Sequence, residues 1–316
     1  MVKSWENQFW KYCLTGDVQK AYKLLENNKE LTEEWEDLKE QMYSRFYEGV
    51  NPITSVSSRL QPILNSFYTY YRDVLLKRKG HEEAESNLIE NLSQEIGFMQ
   101  QDKVELSSTI QKMFEEEGFH FLGGKTEPFY GPYIWRESEE KVYEVDLPLG
   151  KQTLKVVFMH DFIMRSWLDF ATCGRKGAGG WAKEDGLYCV YSIYRDILES
   201  PKFQISYLKH EAQHVDDFER FPNLKNHELE YRAKLVEIMY EDSSRVIQQV
   251  LHEADSNPEF PHNFASYLIK EEFEKRLGES TPTGFPFADM ETIKKIAEKI
   301  YMEHTEHLIE RGAGNS

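Results

Sequence analysis

The sequence predicts an α+β protein that is mostly α-helical, and three stretches of different periodicity support this prediction. From Ser4 to about Glu117 the apolar residues recur at the spacing of amphipathic helices. Between Gly118 and Tyr194, glycine, proline and aromatic residues are frequent, and short alternating segments indicate a small antiparallel or mixed sheet. From Ile205 onward the helical spacing returns. We therefore predict a helical N-terminal region, residues 1–118, and a second domain, residues 119–316.

Two stripes of large apolar residues mark helices in the N-terminal region. They comprise Trp35, Leu38, Met42 and Phe46, and then Leu60, Leu64, Phe67, Tyr71 and Leu75. Breaks between helices are predicted at Thr15–Asp17, Asn27–Asn28, Gly49–Pro52 and Lys79–Gly80. Stripes with this spacing usually pack into a protein core, so we expect these residues to be structural.

The predicted sheet occupies about residues 140–194. Val142 to Met159 should form a hairpin around the turn-forming segment Leu147–Lys151, followed by a short helix at about Phe162–Phe170. The segment Leu187–Tyr194 is rich in aromatic and β-branched residues and predicts a further strand. The intervening glycine-rich loop, Gly174–Gly180, lacks the residue order of a phosphate-binding loop, and we expect a mobile lid there instead.

Composition and charge disfavour several classes of protein. The net charge of -17 makes a nucleic acid a poor partner, because binding to a phosphate backbone requires clustered Lys and Arg. The three cysteines are far apart and form no CxxC pair, which argues against a disulfide framework. The N-terminal residues do not resemble an export signal, and no apolar run is long enough to cross a membrane. We therefore expect a cytoplasmic protein with no membrane or nucleic-acid partner.

The segment His210-Glu211-Ala212-Gln213-His214 is an HExxH motif on a helix predicted at about residues 203–220. Its two histidines are one helical turn apart, so both imidazoles can bind one ion. Zinc accepts imidazole nitrogens at about 2.0–2.1 Å, and two ligands on one rigid helix lose little entropy on binding it. Glu211 should not be a ligand. Its carboxylate can instead accept a proton from an activated water and pass it to a leaving amine.

A third ligand is expected from the next helix, predicted at about residues 227–252, which offers Glu228 and Glu230. The two glutamates point about 200° apart around a helix, so only one of them can face the ion. Three protein ligands and one open position are typical of catalytic zinc, whereas a fourth protein ligand would close the site.

The segment Glu230-Tyr231-Arg232-Ala233, downstream of HExxH, resembles the gluzincins, zinc peptidases that pair HExxH with a glutamate on a following helix. The resemblance covers roughly Leu187 to Tyr240. It implies a zincin-like catalytic core in which His210, His214 and Glu230 bind Zn²⁺. It also favours Glu230 over Glu228, because the small Ala233 would let the two helices approach.

The sequence departs from the gluzincin pattern at Lys234, where an acidic residue often follows. Asp217 shares the face of the histidines and could supply the missing carboxylate, either by orienting a ligand histidine or by binding the metal itself. Candidates by type for stabilising the transition state are Tyr194, His227, Tyr231, Arg232, His262 and Tyr267.

These features together predict a zinc metallopeptidase that acts on a peptide or protein. By analogy with zincins, Leu187–Tyr194 would be an edge strand against which an extended substrate pairs. One alternative is a catalytically idle zincin-fold protein that binds a partner protein through its helical N-terminal region. Another is an all-helical interaction module in which His210 and His214 are ordinary core residues.

Overall fold

A computed structural model describes residues 4–97, 103–183, 186–281 and 283–313. Residues 1–3, 98–102, 184–185, 282 and 314–316 of the two predicted regions lie outside the described residues. The structure is of mixed α/β type and 58% helical, with a five-stranded sheet. The prediction of a mostly helical chain with a small sheet is therefore confirmed.

The N-terminal region is helical, as predicted. Its helices are α1 (Ser4–Leu14), α2 (Val18–Asn27), α3 (Glu33–Tyr43), α4 (Gln61–Leu75), α5 (His81–Glu95) and α6 (Lys103–Glu116). A π-helical segment, Ser44–Glu48, extends α3 and ends at Gly49, whose φ of +78° suits glycine. Both predicted stripes face the core, although Trp35 is only partly buried.

Two sheets follow. The strands are β1 (His120–Leu122), β2 (Lys125–Thr126), β3 (Phe129–Tyr130), β4 (Tyr133–Leu147), β5 (Gly150–Arg165), β6 (Gly180–Lys183) and β7 (Gly186–Val190). The five-stranded sheet has the order β1-β4-β5-β7-β6, while β2 and β3 form a separate pair. A two-residue turn at Pro148 and Leu149 joins β4 to β5, which confirms the predicted hairpin and makes it longer.

A short helix is present close to the predicted range Phe162–Phe170, but the prediction places its start too early. Strand β5 continues to Arg165, and helix α7 occupies Ser166–Ala171. Phe162, Ile163 and Met164 are consecutive apolar residues, and such a short run fits either a strand or a buried helix. The periodicity of the sequence could not locate this boundary.

The prediction of an edge strand at Leu187–Tyr194 is wrong on two points. Strand β7 ends at Val190, and Tyr191–Tyr194 form a helical turn, α8, in which Tyr194 packs against Phe203 and Tyr207. Strand β7 also lies inside the sheet, between β5 and β6. In the described part of the chain, β6 is the terminal strand on this side, and it pairs with β7 in antiparallel register.

The C-terminal part is helical. It contains α9 (Pro201–Phe203), a π-helical segment (Gln204–Lys209), α10 (His210–Arg220), α11 (Asn226–Tyr240), α12 (Arg245–Glu253), α13 (Pro261–Leu277) and α14 (Met290–Ala313). The helical segment at 203–220 is confirmed. The single helix predicted at 227–252 is wrong, because α11 ends at Tyr240. The carboxylate of Glu241 accepts hydrogen bonds from the backbone N–H and hydroxyl of Ser243, which stabilise a turn there.

The chain divides into two compact units. Unit 1 comprises Met1–Glu139 and Met159–Gly179, and unit 2 comprises Glu140–Phe158 and Gly180–Ser316. The core of unit 1 is rich in aromatic residues and includes Phe9, Tyr71, Phe114, Trp167 and Phe170. The core of unit 2 includes Phe158, Phe203, Phe273 and Tyr301. Among the described residues, no helix combines the length and the apolar character that crossing a bilayer requires.

Candidate metal centre

Helix α10 holds His210 and His214 one turn apart in unit 2. Leu208 and Ala212 are buried on the inner side of this helical segment, which fixes its rotation. The two imidazole rings are perpendicular, with centroids 4.7 Å apart, and their Nε2 atoms lie 3.1 Å from each other. Both nitrogens therefore converge on one point.

Helix α11 brings Glu230 to the same point. Its Oε2 lies 3.4 Å from Nε2 of His210, and its Oε1 lies 3.4 Å from Nε2 of His214. Ala233, one turn further along α11, is fully buried, which agrees with the small residue expected where the two helices approach. The structure thus brings together the three predicted ligands.

The spacing of these atoms suits a small tetrahedral ion. Zinc with ligand distances of about 2.0–2.2 Å places its ligand atoms about 3.3–3.6 Å apart in a tetrahedron. The two Nε2 atoms are 3.1 Å apart, and each lies 3.4 Å from a different carboxylate oxygen of Glu230. One ligand atom from each residue lies within 4.8 Å of the others. Among the described residues, none donates a hydrogen bond to the buried Oε2 of Glu230. Glu230 therefore has a buried carboxylate oxygen whose hydrogen-bonding capacity is unused by the described residues.

Glu237 is a member of the site that the sequence analysis missed. Its Oε1 lies 2.7 Å from Nδ1 of His210, on the side of the ring opposite to Glu230. Burial lowers the pKa of His210, but the Glu230 and Glu237 carboxylates outweigh it and raise this pKa to about 10. The site therefore favours a positive charge at this position. Glu237 follows Glu230 by two helical turns on the same face of α11, and this spacing could have revealed it.

His262 lies in the first turn of α13, also next to Glu230. Its Nδ1 is 2.7 Å from Oε2 of Glu230, at an angle too poor for a hydrogen bond, and 65% of its side chain is exposed. Burial raises the pKa of Glu230, whereas the neighbouring His210, His214 and His262 lower it, so that the net pKa is far below its usual range. Glu230 is therefore anionic at neutral pH.

Glu211 lies near Cys189 at the end of β7 and near Tyr194 on α8. In the described part of the chain, no side chain or backbone group forms a hydrogen bond or ion pair with its carboxylate. Burial, and secondarily the charge of Glu211, raise the pKa of Cys189 to about 12. For Tyr194, burial and the nearby Cys189 and Glu211 raise the pKa to about 12. Among the described residues, Glu211 is thus an unpaired carboxylate beside the buried Cys189 and the partly buried Tyr194.

The two alternative carboxylates have other partners. Glu228 accepts a hydrogen bond from the backbone N–H of Lys225 at the start of α11 and forms an ion pair with Arg311. Asp217 is fully buried and binds the equally buried Arg232 at 2.7 Å, so its carboxylate does not orient a histidine. Lys234, at the position where the gluzincins often have an acid, pairs with Glu253.

No family model matches this chain, and no curated protein or solved structure is significantly similar to it. The resemblance to gluzincins therefore depends on the short motifs on α10 and α11 alone. Any functional interpretation therefore depends on the geometry of His210, His214 and Glu230.

Proposed function

We propose that the protein is a zinc metallopeptidase with a zincin-like catalytic core in unit 2. The observation that carries this proposal is the convergence of two imidazole nitrogens and one carboxylate at tetrahedral spacing, beside a glutamate that is not a ligand. His210, His214 and Glu230 would hold the ion. When bound, zinc supplies a Lewis acid that polarises a carbonyl and acidifies water.

The residues of the chain have separate roles in the proposed hydrolysis of a peptide bond. Glu211 would accept a proton from the attacking water as its oxygen bonds to the carbonyl carbon. It would return this proton to the nitrogen that leaves as the C–N bond breaks. Glu237 holds the ring of His210, so that Nε2 faces the ion. An extended peptide or protein substrate would pair with the terminal strand β6, which replaces the edge strand expected from the sequence.

Metal content tests the ligand assignment. We expect elemental analysis of the protein purified without added metal to find one zinc per chain. His210→Ala and Glu230→Gln should each lose most of this zinc, because two ligands bind it far less tightly than three. Glu228→Gln is the matched control and should retain it, since Glu228 binds the helix start and Arg311. Equal loss of zinc from both glutamate variants would contradict the assignment.

Turnover tests the role of Glu211. With a quenched fluorescent peptide library as substrate, Glu211→Gln should keep its zinc and lose activity by about 10²–10⁴-fold, which is the usual contribution of a general base. A wild-type protein that binds zinc but cleaves no peptide would instead support the idle scaffold that acts as a binding module. The sheet already rules out an all-helical module. Absence of stoichiometric zinc from the wild type would support an interaction module in which His210 and His214 are ordinary core residues.

A further inference from the structure

We infer that His262 is a further residue of the metal centre, which positions Glu230 by holding the carboxylate oxygen that does not bind the ion. This inference depends on the proposed function, because it assumes that Glu230 is a metal ligand. It concerns a residue outside both motifs, on a helix that the resemblance to gluzincins does not cover.

A carboxylate that binds zinc through one oxygen presents the other oxygen to its surroundings. Ligating carboxylates are usually held by a hydrogen bond at that second oxygen, which fixes their orientation. Among the described residues, none forms a hydrogen bond with Oε2 of Glu230. The nitrogen Nδ1 of His262 nevertheless lies only 2.7 Å from this oxygen. A small rotation of either side chain would align the imidazole N–H of His262 with this oxygen.

His262 is not a fourth ligand in this arrangement. The atoms that lie within 4.8 Å of one another come from His210, His214 and Glu230, and no atom of His262 belongs to this set. His262 therefore contacts the ligand and leaves the fourth position of the ion open, as catalysis requires. It acts through Glu230, which makes it a positioning residue.

The N-terminal turn of α13 is anchored so that His262 reaches Glu230. The side-chain amide of Asn263 donates to the backbone carbonyl of Glu253 at 2.7 Å, and the hydroxyl of Ser266 donates to the Glu253 carboxylate at 2.8 Å. The backbone N–H of Asp255 donates to the carbonyl of Asn263. These bonds attach the start of α13 to the end of α12 through Asn263 and Ser266, just after His262.

Lys234 completes this anchor. It follows Glu230 by one turn on α11 and is almost fully buried, and its ammonium pairs with the same Glu253 carboxylate. The departure from the gluzincin pattern at this position thus has a structural explanation. At this position α11 has Lys234, which binds the end of α12, instead of an acid that binds a histidine. The end of α12 is in turn bonded to α13, the helix that carries His262.

The test is zinc affinity, measured by competition with a chromogenic chelator on the full chain at one pH. We expect His262→Ala to weaken zinc binding by about 10–100-fold, the usual effect of removing a residue that orients a ligand. His262→Asn should restore most of the affinity, because the amide nitrogen of Asn takes the place of Nδ1. His252→Ala is the matched control, an exposed histidine on α12, and it should bind zinc like the wild type.

The outcomes separate this inference from the proposed function. If His262→Ala binds zinc as tightly as the wild type while His210→Ala loses it, the role of His262 is wrong and the metal centre stands. If His262→Asn is as weak as His262→Ala, the imidazole is needed for something other than its Nδ1 donor, and the inference also fails. If the wild type binds no zinc, both proposals fail together.

Discussion

At the scale of single residues, Glu237 decides how His210 faces the proposed ion. Its carboxylate accepts a hydrogen bond from Nδ1–H of His210, which leaves Nε2 of the ring to face the proposed ion. Glu237→Gln retains the shape of the side chain, but removes the charge that favours this tautomer. We therefore expect zinc affinity to fall by about 10–100-fold, measured by chelator competition on the metal-free protein.

The control for this prediction is Glu298→Gln, which removes an exposed carboxylate of α14 and leaves the net charge of the two variants equal. It should bind zinc like the wild type. If the two variants lost affinity equally, the effect of Glu237 would be one of overall charge, and its specific role in holding His210 would be refuted.

The sequence predicts the part of this site that is local along the chain. His210, Glu211 and His214 follow from one helical turn, and Glu230 follows from the next helix. Choosing Glu230 over Glu228 needed a family pattern, and the structure now provides a physical reason, because the carboxylate of Glu228 binds the backbone of Lys225. The position of His262 could not be predicted, since it depends on how three later helices pack.

At the scale of helices, Arg232 joins α10, α11 and α14. Its guanidinium donates to Asp217 on α10 at 2.7 Å and to Thr305 and the Tyr301 hydroxyl on α14 at 2.9 and 2.7 Å. The Tyr301 hydroxyl donates in turn to Gln213, within the HExxH segment. This buried network holds α10 and α11, which carry the proposed ligands, against the C-terminal helix.

Removing one partner of this buried ion pair should destabilise unit 2 strongly. Arg232→Met leaves the carboxylate of Asp217 buried without its counter-ion, and we expect the free energy of unfolding to fall by about 3–5 kcal/mol. Adding Asp217→Asn to this variant should restore part of the loss, because it removes the uncompensated charge. Urea unfolding of the metal-free proteins measures both effects. A double variant less stable than Arg232→Met would show that the charge of Asp217 is not the cause.

The elements that the sequence predicted well are those whose periodicity is long and unbroken. The N-terminal helices appear where expected, because their stripes face a core. The break after Tyr240 was missed because apolar spacing continues on both sides of the Glu241–Ser243 turn. The end of β7 was missed because the aromatic residues that favour a strand here pack as a helical turn on Phe203.

At the scale of the whole molecule, the hydrophobic cores do not follow the boundary at residue 118 that the change in composition predicts. Strands β4 and β5 each contribute to both units, with the divisions at Glu139 and Phe158. Phe121, Trp167 and Phe170 follow the N-terminal helices in the chain but pack with them in the core of unit 1. A change of composition marks a change of secondary structure, whereas a unit is defined by which residues share a core.

This division predicts how fragments behave. The fragment 119–316 keeps Phe121, Trp167 and Phe170 but loses the helices that bury them, so we expect it to expose apolar surface, bind a hydrophobic dye and aggregate. A fragment that joins 140–158 to 180–316 by a flexible linker keeps the whole core of unit 2 and all the proposed ligands. It should unfold cooperatively and bind zinc. If 119–316 were instead the better-behaved fragment, packing of Phe121, Trp167 and Phe170 against the N-terminal helices would contribute less to stability than the burial of these residues implies.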